Sequence, residues 1–415
     1  MTLFGIIWML ISIWAFSRKS IKPLMAVTLF GMTLQCNNVI EFGGLTCGPQ
    51  LISSALFIAK SYTYRAGFSL GKICKTELTW VLLIIYIMVN LFVMHANVAQ
   101  GRALNVLMIS VYVWAFLQFR KMSKDVDEIF INKCVRALTT FLLFVAAIQF
   151  VIELLRLPKN TILATLIYND SGNTNICYYN KNAVRIYSTF MEPSYCAAIF
   201  VGALFYVWNN AKRITNKNKN ILIVALVACI LLTESSTAYG TLAILFALYG
   251  IQNSNKKKTW IAILVSTVAV LFLMTCTDVL DTVIFDKMSS GSGKVRSRMN
   301  NRAFENFLQS KWIGVGYKNS RGSSIVPTIL SELGIVGFIP YVMFVWWIFM
   351  VIFKSKKDTV LQGTAYMVMA SIISQIIACP DMDLCTFWLS MYFYAMAAGS
   401  RRIREQHNKQ QVTVA

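Results

Sequence analysis

Arg296, Arg298 and Arg302 crowd into one short run, and Arg321 follows within the same polar stretch, residues 278–323. Planar guanidinium groups bind phosphate oxygens in pairs, which a lysine ammonium does not. A second polar stretch, residues 156–189, leads into Arg185-Ile-Tyr-Ser-Thr-Phe-Met-Glu-Pro-Ser-Tyr195, which sets Arg185, Tyr187 and Glu192 close together. A carboxylate there could take a proton from an attacking hydroxyl. Glu332 lies just beyond the first stretch, in an otherwise apolar segment that follows Trp312-Ile-Gly-Val-Gly-Tyr317. Other chemistries are poorly supplied. His95 and His407 are the sole histidines, so neither a His-rich metal site nor a Ser-His-acid triad can be built. No Gly-rich loop of the Walker type occurs, which argues against an ATP-driven pump. Catalysis would fall to carboxylates, arginines and tyrosines, with no metal and no cofactor expected.

The elements that must hold these residues are membrane helices. With 57% hydrophobic and 14% charged residues and a mean hydropathy of +0.58, the chain has too little polar surface to cover a soluble globule. Apolar runs of roughly the length that crosses a ~30 Å hydrocarbon core recur near 3–17, 23–40, 49–64, 78–95, 102–119, 134–155, 190–208, 220–234, 236–251, 259–277, 324–353, 360–378 and 383–399. Backbone amides in lipid need partners within their own segment, so these runs must be helices. The expectation is an all-α polytopic integral membrane protein with about thirteen spans (twelve to fourteen), read as one membrane domain over residues 1–415. Two long external loops, 156–189 and 278–323, and a cytoplasmic tail, 400–415, complete it.

Orientation follows from the short loops, because cytoplasmic loops retain Lys and Arg. Basic groups follow every second run: Arg18, Lys19 and Lys22, then Lys60, Arg65, Lys72 and Lys75, and so on to Lys354, Lys356 and Lys357 and the tail from Arg401. This places the N-terminus outside and the C-terminus in the cytoplasm. Of the 39 Lys and Arg residues, thirteen then lie outside, twelve of them in the two long loops and the last at Arg102. The net charge of +21 is therefore mostly topological, and no nucleic-acid partner is expected. The chain begins without the basic n-region of a signal peptide, so the first run reads as an uncleaved span. Of the ten cysteines, Cys36 and Cys47 alone share an external loop, and most others sit in apolar segments as small hydrophobes.

Each candidate also has a plainer explanation. Long loops translocate regardless of charge, so their arginines could simply be soluble-like residues. Glu192 could be a charge that favours the helix dipole next to Pro193, which is tolerated at a helix start. Against this, a carboxylate at the water-lipid boundary is costly unless it faces a cavity or partner. Glu234, in the hairpin between 220–234 and 236–251, reads as part of a close helix contact. The Gly-x-Gly at 314–316 reads as a turn. Glu332 and Pro340 fall in a segment that suits a broken or re-entrant helix lining a pocket. Beside a membrane surface, the arginines would suit a lipid-linked phosphate or pyrophosphate.

The Arg-x-x-Ser-Thr-Phe-x-Glu-Pro-Ser segment from Arg185 resembles the oligosaccharide repeat-unit polymerases (Wzy type) of bacterial surface polysaccharide synthesis. Trp312-Ile-Gly-Val-Gly-Tyr317 followed by Leu330-Ser-Glu-Leu-Gly-Ile-Val-Gly337 is similar to a signature shared by these polymerases and the O-antigen ligases. The resemblance extends from about Arg185 to Gly337 and includes the many spans and two long periplasmic loops. One departure separates the branches: ligases typically carry a His-Asn pair where this chain has Ser323 and Ser324.

The resemblance implies a GT-C-like helical fold in the bacterial inner membrane, independent of nucleotide-sugar donors and of metal. It implies transfer of a growing glycan from one undecaprenyl diphosphate carrier to a sugar hydroxyl on another, at the outer face of that membrane. It further implies partners in the same pathway, a chain-length regulator and a flippase. In that reaction Arg302 and Arg185, then Arg321, Arg298 and Arg296, would stabilise the departing lipid pyrophosphate. Glu192 would be the general base, with Glu332 second. Tyr187, Trp312 and Tyr317 would contact substrate, although aromatic residues at an interface more often anchor the helix ends. An O-antigen ligase and a lipid-linked oligosaccharide flippase remain the alternatives. A flippase would call for paired charges buried within spans.

Overall fold

The computed structural model describes residues 3–35, 37–42, 45–64, 73–99, 102–155, 185–210, 216–253 and 291–414. The apolar run 259–277, most of the first long loop, residues 278–290 of the second and Cys36 of the outer-loop cysteine pair lie outside the described residues. The chain is mostly helical. In order come α1 (Leu3–Ser17), α2 (Lys22–Thr33), a two-stranded antiparallel ribbon of β1 (Ile40–Phe42) and β2 (Leu45–Cys47), α3 (Pro49–Tyr64) and α4 (Lys75–Val89). A π-turn over Asn90–Met94 leads to a single turn, α5 (Ala96–Ala99), then α6 (Ala103–Met122) and α7 (Glu128–Leu154). After these come α8 (Pro193–Asn209), α9 (Asn216–Leu232), α10 (Ser236–Gln252), α11 (Gly291–Gln309), α12 (Ile325–Lys354), α13 (Thr359–Ala378) and α14 (Cys385–Val414). The ribbon is a small departure from the all-α expectation.

Among the described residues, five helical segments are long and apolar enough to cross a membrane: Lys75–Met94, Ala103–Asp125, Glu128–Leu154, Ile325–Lys354 and Thr359–Ala378. Leu3–Ser17, Pro193–Asn209 and Lys219–Leu232 are shorter apolar helices. Their outward faces are greasy. Leu10, Phe144 and Val224 are each more than 60% exposed, an arrangement that suits lipid and not water. Helix α13 is the centre, buried along nearly its whole length and packed by α8, α10, α12 and α14. Around it α14 meets α6, and α4 meets α12. Aromatic side chains fill that second seam, with Trp80 of α4 against Phe344 of α12 and Trp388 of α14 at centroid distances of 5.4 and 4.8 Å.

Helix α12 breaks, but not where proline predicts. The backbone stays helical at Pro340, and the non-helical residue is Gly334, with φ 64° and ψ −166°. That region is open in practice to glycine alone. The cause is a clasp with the preceding Gly-x-Gly turn. Val315 N–H donates to Ser331 O at 2.8 Å, and Gly316 N–H donates to Glu332 O at 3.0 Å. In return, Ile335 N–H donates to Lys311 O at 2.9 Å and Val336 N–H to Trp312 O at 3.2 Å. The break frees carbonyls and amides that the turn then satisfies, as buried backbone groups require. A Cβ on Gly334 would overlap the Trp312 carbonyl, and one on Gly314, itself at φ 72°, would overlap that of Glu332. Gly334→Ala is therefore expected to cost about 1–3 kcal/mol in backbone strain alone, with the overlap adding to it. Thermal unfolding of the purified variant checks this, and an unchanged midpoint would mean that the clasp is not formed.

Candidate functional site

Three segments converge at one end of the bundle. The first is Arg185–Tyr195, whose placement depends on Gln149 of α7. The Gln149 amide oxygen accepts the N–H groups of Tyr187 and Ser188 at 3.1 and 2.8 Å, and its nitrogen donates to Ser188 O at 2.6 Å. Ser188 is held at φ 51°, an uncommon geometry for a non-glycine residue. Thr189 Oγ1 donates to Thr33 O at 2.5 Å, and Met191 N–H to Gln35 Oε1 at 3.2 Å, which ties the segment to the end of α2. Glu192 is then the N-cap of α8 in extended geometry, with Pro193 at the first helical position. Its carboxylate caps no backbone N–H and accepts the Ser194 hydroxyl at 3.0 Å. Arg185 turns toward the α9–α10 hairpin, donating to Thr233 O at 3.3 Å and Glu234 O at 3.4 Å. Burial lowers the pKa of its guanidinium, while the charges of Glu234 and Glu192 oppose that shift.

The second segment is the clasp. Tyr86 Oη donates to Leu333 O at 3.0 Å, Asn90 Nδ2 to Ile313 O at 2.6 Å, and the His95 ring meets Gly314 O at 3.2 Å. Asn90 Oδ1 also accepts the N–H of Tyr317. One end of α4 and the π-turn after it thus fix the Gly-x-Gly turn, which in turn directs Lys318, at φ 59°, and Arg321. Helix α11 docks beside this segment. Asn300 Oδ1 accepts both the N–H and the hydroxyl of Ser323 at 2.8 and 2.9 Å, and Asn306 donates to Ser320 at 3.0 Å.

The third segment, between α13 and α14, is the one that sequence reasoning missed. Lys318 Nζ donates to Asp381 Oδ1 at 2.7 Å and to Asp383 Oδ1 at 2.8 Å, and Arg321 Nη2 donates to Asp381 Oδ2 at 2.7 Å. Burial works against the Lys318 charge, but Asp383 and Asp381 outweigh it and raise its pKa. Burial likewise opposes the Asp381 charge, and Lys318 and Arg321 overcome it, so its pKa falls below the ordinary 3.8. The signal was available as Pro380-Asp381-Met382-Asp383, two acids in the turn between two apolar runs. Starting the last run at 383 had split the pair between loop and span.

These groups line one cleft of about 490 Å³, with Arg102 and Tyr112 of the α6 side, Tyr195 of α8, and Glu332 and Asp383 deep in it. Glu332 is 2% exposed and receives a backbone hydrogen bond from Lys318. Arg102, which the sequence reading counted among the external cations, was given no role there. Of the expected site residues, Arg321 and Glu332 line the cleft. Glu192 stands beside it, between the lining residues Met191 and Tyr195, and its charge reaches both Arg321 and Arg185. Arg296, Arg298 and Arg302 are exposed on α11, outside the cleft lining. Of these, Arg296 is felt electrostatically at Arg185 and Cys379. Trp312 is 68% exposed, whereas Tyr187 and Tyr317 are buried at 2% and 0% and offer no open ring face to a ligand.

The arrangement sets cations that could receive an anion beside a carboxylate. Arg321 is 55% exposed and binds its aspartate through one nitrogen, which leaves further N–H groups of its fork for another anion. Arg102 lines the same space. Residues 221–327 match the family model described as O-Antigen ligase (Wzy_C). The matched stretch takes in most of α9, all of α10 and α11, and the residues that carry Lys318 and Arg321. Comparison with curated proteins gave no match.

Proposed function

We propose that this chain polymerises undecaprenyl-diphosphate-linked oligosaccharide repeat units in O-antigen or surface polysaccharide synthesis, at the outer face of the bacterial inner membrane. The observation that carries the reading is the cleft at one end of an apolar helix bundle, where Arg102, Lys318 and Arg321 face Glu332, Asp381 and Asp383. The family match over residues 221–327 supports the pathway. Lipid-anchored substrates explain why the polar site lies at the end of membrane-length helices.

The acceptor sugar's hydroxyl oxygen attacks the anomeric carbon of the donor glycan. The bond from that carbon to the pyrophosphate oxygen breaks, and its electron pair leaves with the lipid diphosphate. The hydroxyl proton passes to Glu192, with Glu332 as second candidate. Arg321 and Arg102 meet the charge that develops on the leaving group, and fixed cations in a partly dry site do this with little reorganisation. Arg185, buried against the α9–α10 hairpin, supports Glu192 electrostatically. Arg302, Arg298 and Arg296 form a cationic approach for the second carrier. Exposed Trp312 either stacks on a sugar ring or anchors the loop at the membrane surface.

A ligase is the second reading, favoured by the description of the matching family model. Against it stands Ser323, which holds Asn300 where the ligase branch carries a histidine-containing pair. Deleting the gene and separating the surface polysaccharide on a gel distinguishes the readings. Single-unit caps are the expected result. Complete absence of surface glycan would point to a ligase or flippase and overturn the polymerase. Reporter fusions within 278–323 give an independent check, since a cytosolic location would leave the site on the wrong side.

A further inference from the structure

A second cavity lies at the opposite end of the same helices. Arg102, Glu332 and Cys385 line the cleft described above, whereas Arg120, Lys354 and Arg401, farther along the same three helical segments, line the other cavity. From Arg102 to Arg120 along α6 is roughly 27 Å at 1.5 Å per residue, close to a hydrocarbon thickness. The second cavity has a volume of about 380 Å³. Its charges are Lys75, Arg120, Lys354 and Arg401, and no carboxylate is among its lining residues. Arg120 is paired with Glu77, whose carboxylate also accepts the Cys74 N–H at 2.7 Å. Arg401 Nη1 donates to Ser355 Oγ at 2.9 Å, and the Lys75 ammonium sits 4.2 Å from the centroid of the Trp347 ring. The rest of the lining is apolar, with Trp347, Met350 and Val351 along one wall.

We propose that this cavity binds the headgroup of an anionic phospholipid from the adjoining leaflet, its phosphate held by Lys75, Lys354 and Arg401 and its acyl chain lying along Trp347, Met350 and Val351. A basic rim above an apolar wall is complementary to such a molecule. Basic pockets between membrane helices take anionic headgroups for this reason. A free phosphate would match the rim but gain nothing from the wall. The inference rests on membrane embedding and not on the glycan chemistry at the other end, so the two can fail separately.

The test uses the purified full-length chain in detergent, with binding read from the shift of the thermal unfolding midpoint on adding lipid. Phosphatidylglycerol is expected to stabilise the protein and phosphatidylcholine to have little effect. Each rim charge removed should weaken phosphatidylglycerol binding about fivefold. The variant Lys75→Gln/Lys354→Gln/Arg401→Gln should therefore lose on the order of a hundredfold in apparent affinity. Lys19→Gln/Lys124→Gln/Lys133→Gln removes as many exposed cations at the same end and should keep wild-type affinity. Equal losses in both triple variants, equal stabilisation by phosphatidylcholine, or the same protection from inorganic phosphate alone would each overturn the proposal. If the first triple variant does not fold, Lys354→Gln alone, on an exposed side chain, is expected to show the fivefold loss, and unchanged affinity there would overturn it.

Discussion

Lys318→Met is expected to cost about 3–5 kcal/mol of stability, the usual cost of removing one partner from a buried ion pair, and to abolish activity. Lys318 is the cation that joins Asp381 to Asp383, and the three side chains are 18%, 20% and 11% exposed. Its loss leaves Asp383 without that partner and Asp381 with Arg321, itself half in water. Neither carboxylate can be rehydrated without opening the loop between α13 and α14. Lys318→Arg should retain much of the stability, because the charge remains. The pH dependence separates this account from a general packing defect. In the wild type, Asp381 has a lowered pKa, so its contribution is present above 3.8 and lost as pH falls through its folded value. Lys318 has a raised pKa, so its contribution is complete below 10.5 and lost as pH rises through its folded value. Between those limits the contributions of Asp381 and Lys318 are constant. In Lys318→Met the burial cost at Asp381 loses its main offset, the folded pKa moves upward, and the sign reverses. The variant should therefore gain stability as pH is lowered from neutral toward about 4. Thermal midpoints across that range decide the matter, and a parallel displacement of the two curves would refute the network.

The second large effect is expected for Glu192→Gln. Removing a general base typically lowers the rate by about 10²–10⁴-fold, and here the substitution should leave the fold intact. Glu192 caps no backbone amide with its side chain, and glutamine can still accept the Ser194 hydroxyl. Amounts of folded protein in the membrane should match wild type, while a strain complemented with the variant shows single-unit caps in place of long polymer. Full-length polymer would reduce Glu192 to a charge at the start of α8. Parallel loss in Glu332→Gln with normal polymer in Glu192→Gln would transfer the role to Glu332.

The bundle was legible in the amino-acid order because hydrophobicity is a local property. Most of the described helices overlie apolar runs found by composition, whereas α11 is a polar helix within the stretch read as the second long loop. The alternation of basic loops agrees with the clustering of Lys75, Arg120, Lys354 and Arg401 at one cavity and of Arg102, Lys318 and Arg321 at the other. Pro193 at the head of α8 and the turn at Gly314–Gly316 were also readable, since each rests on the backbone limits of a few consecutive residues. A break in α12 was expected from the sequence, but its position was not. Its sequence offers Gly334, Gly337 and Pro340, and Gly334 is selected only because Lys311 and Trp312 supply hydrogen-bond partners for the amides that follow it.

The site divides in the same way. Charge counting drew attention to the arginine-rich stretch, but an arginine on an exposed helix and one that lines a cleft look alike in a linear chain. Arg302 proved to be the former and Arg321 the latter. Aromatic type suggested substrate contacts at Tyr187 and Tyr317, and packing buried both. By itself, the sequence determined a membrane bundle with its cations sorted to two ends and carboxylates near one of them, because partition between water and lipid is settled segment by segment. Only the tertiary structure decided which charges meet. Lys318 lies more than sixty residues before Asp381 and Asp383, and that pairing depends on α12 and α13 folding back to return the chain to the same end of the bundle.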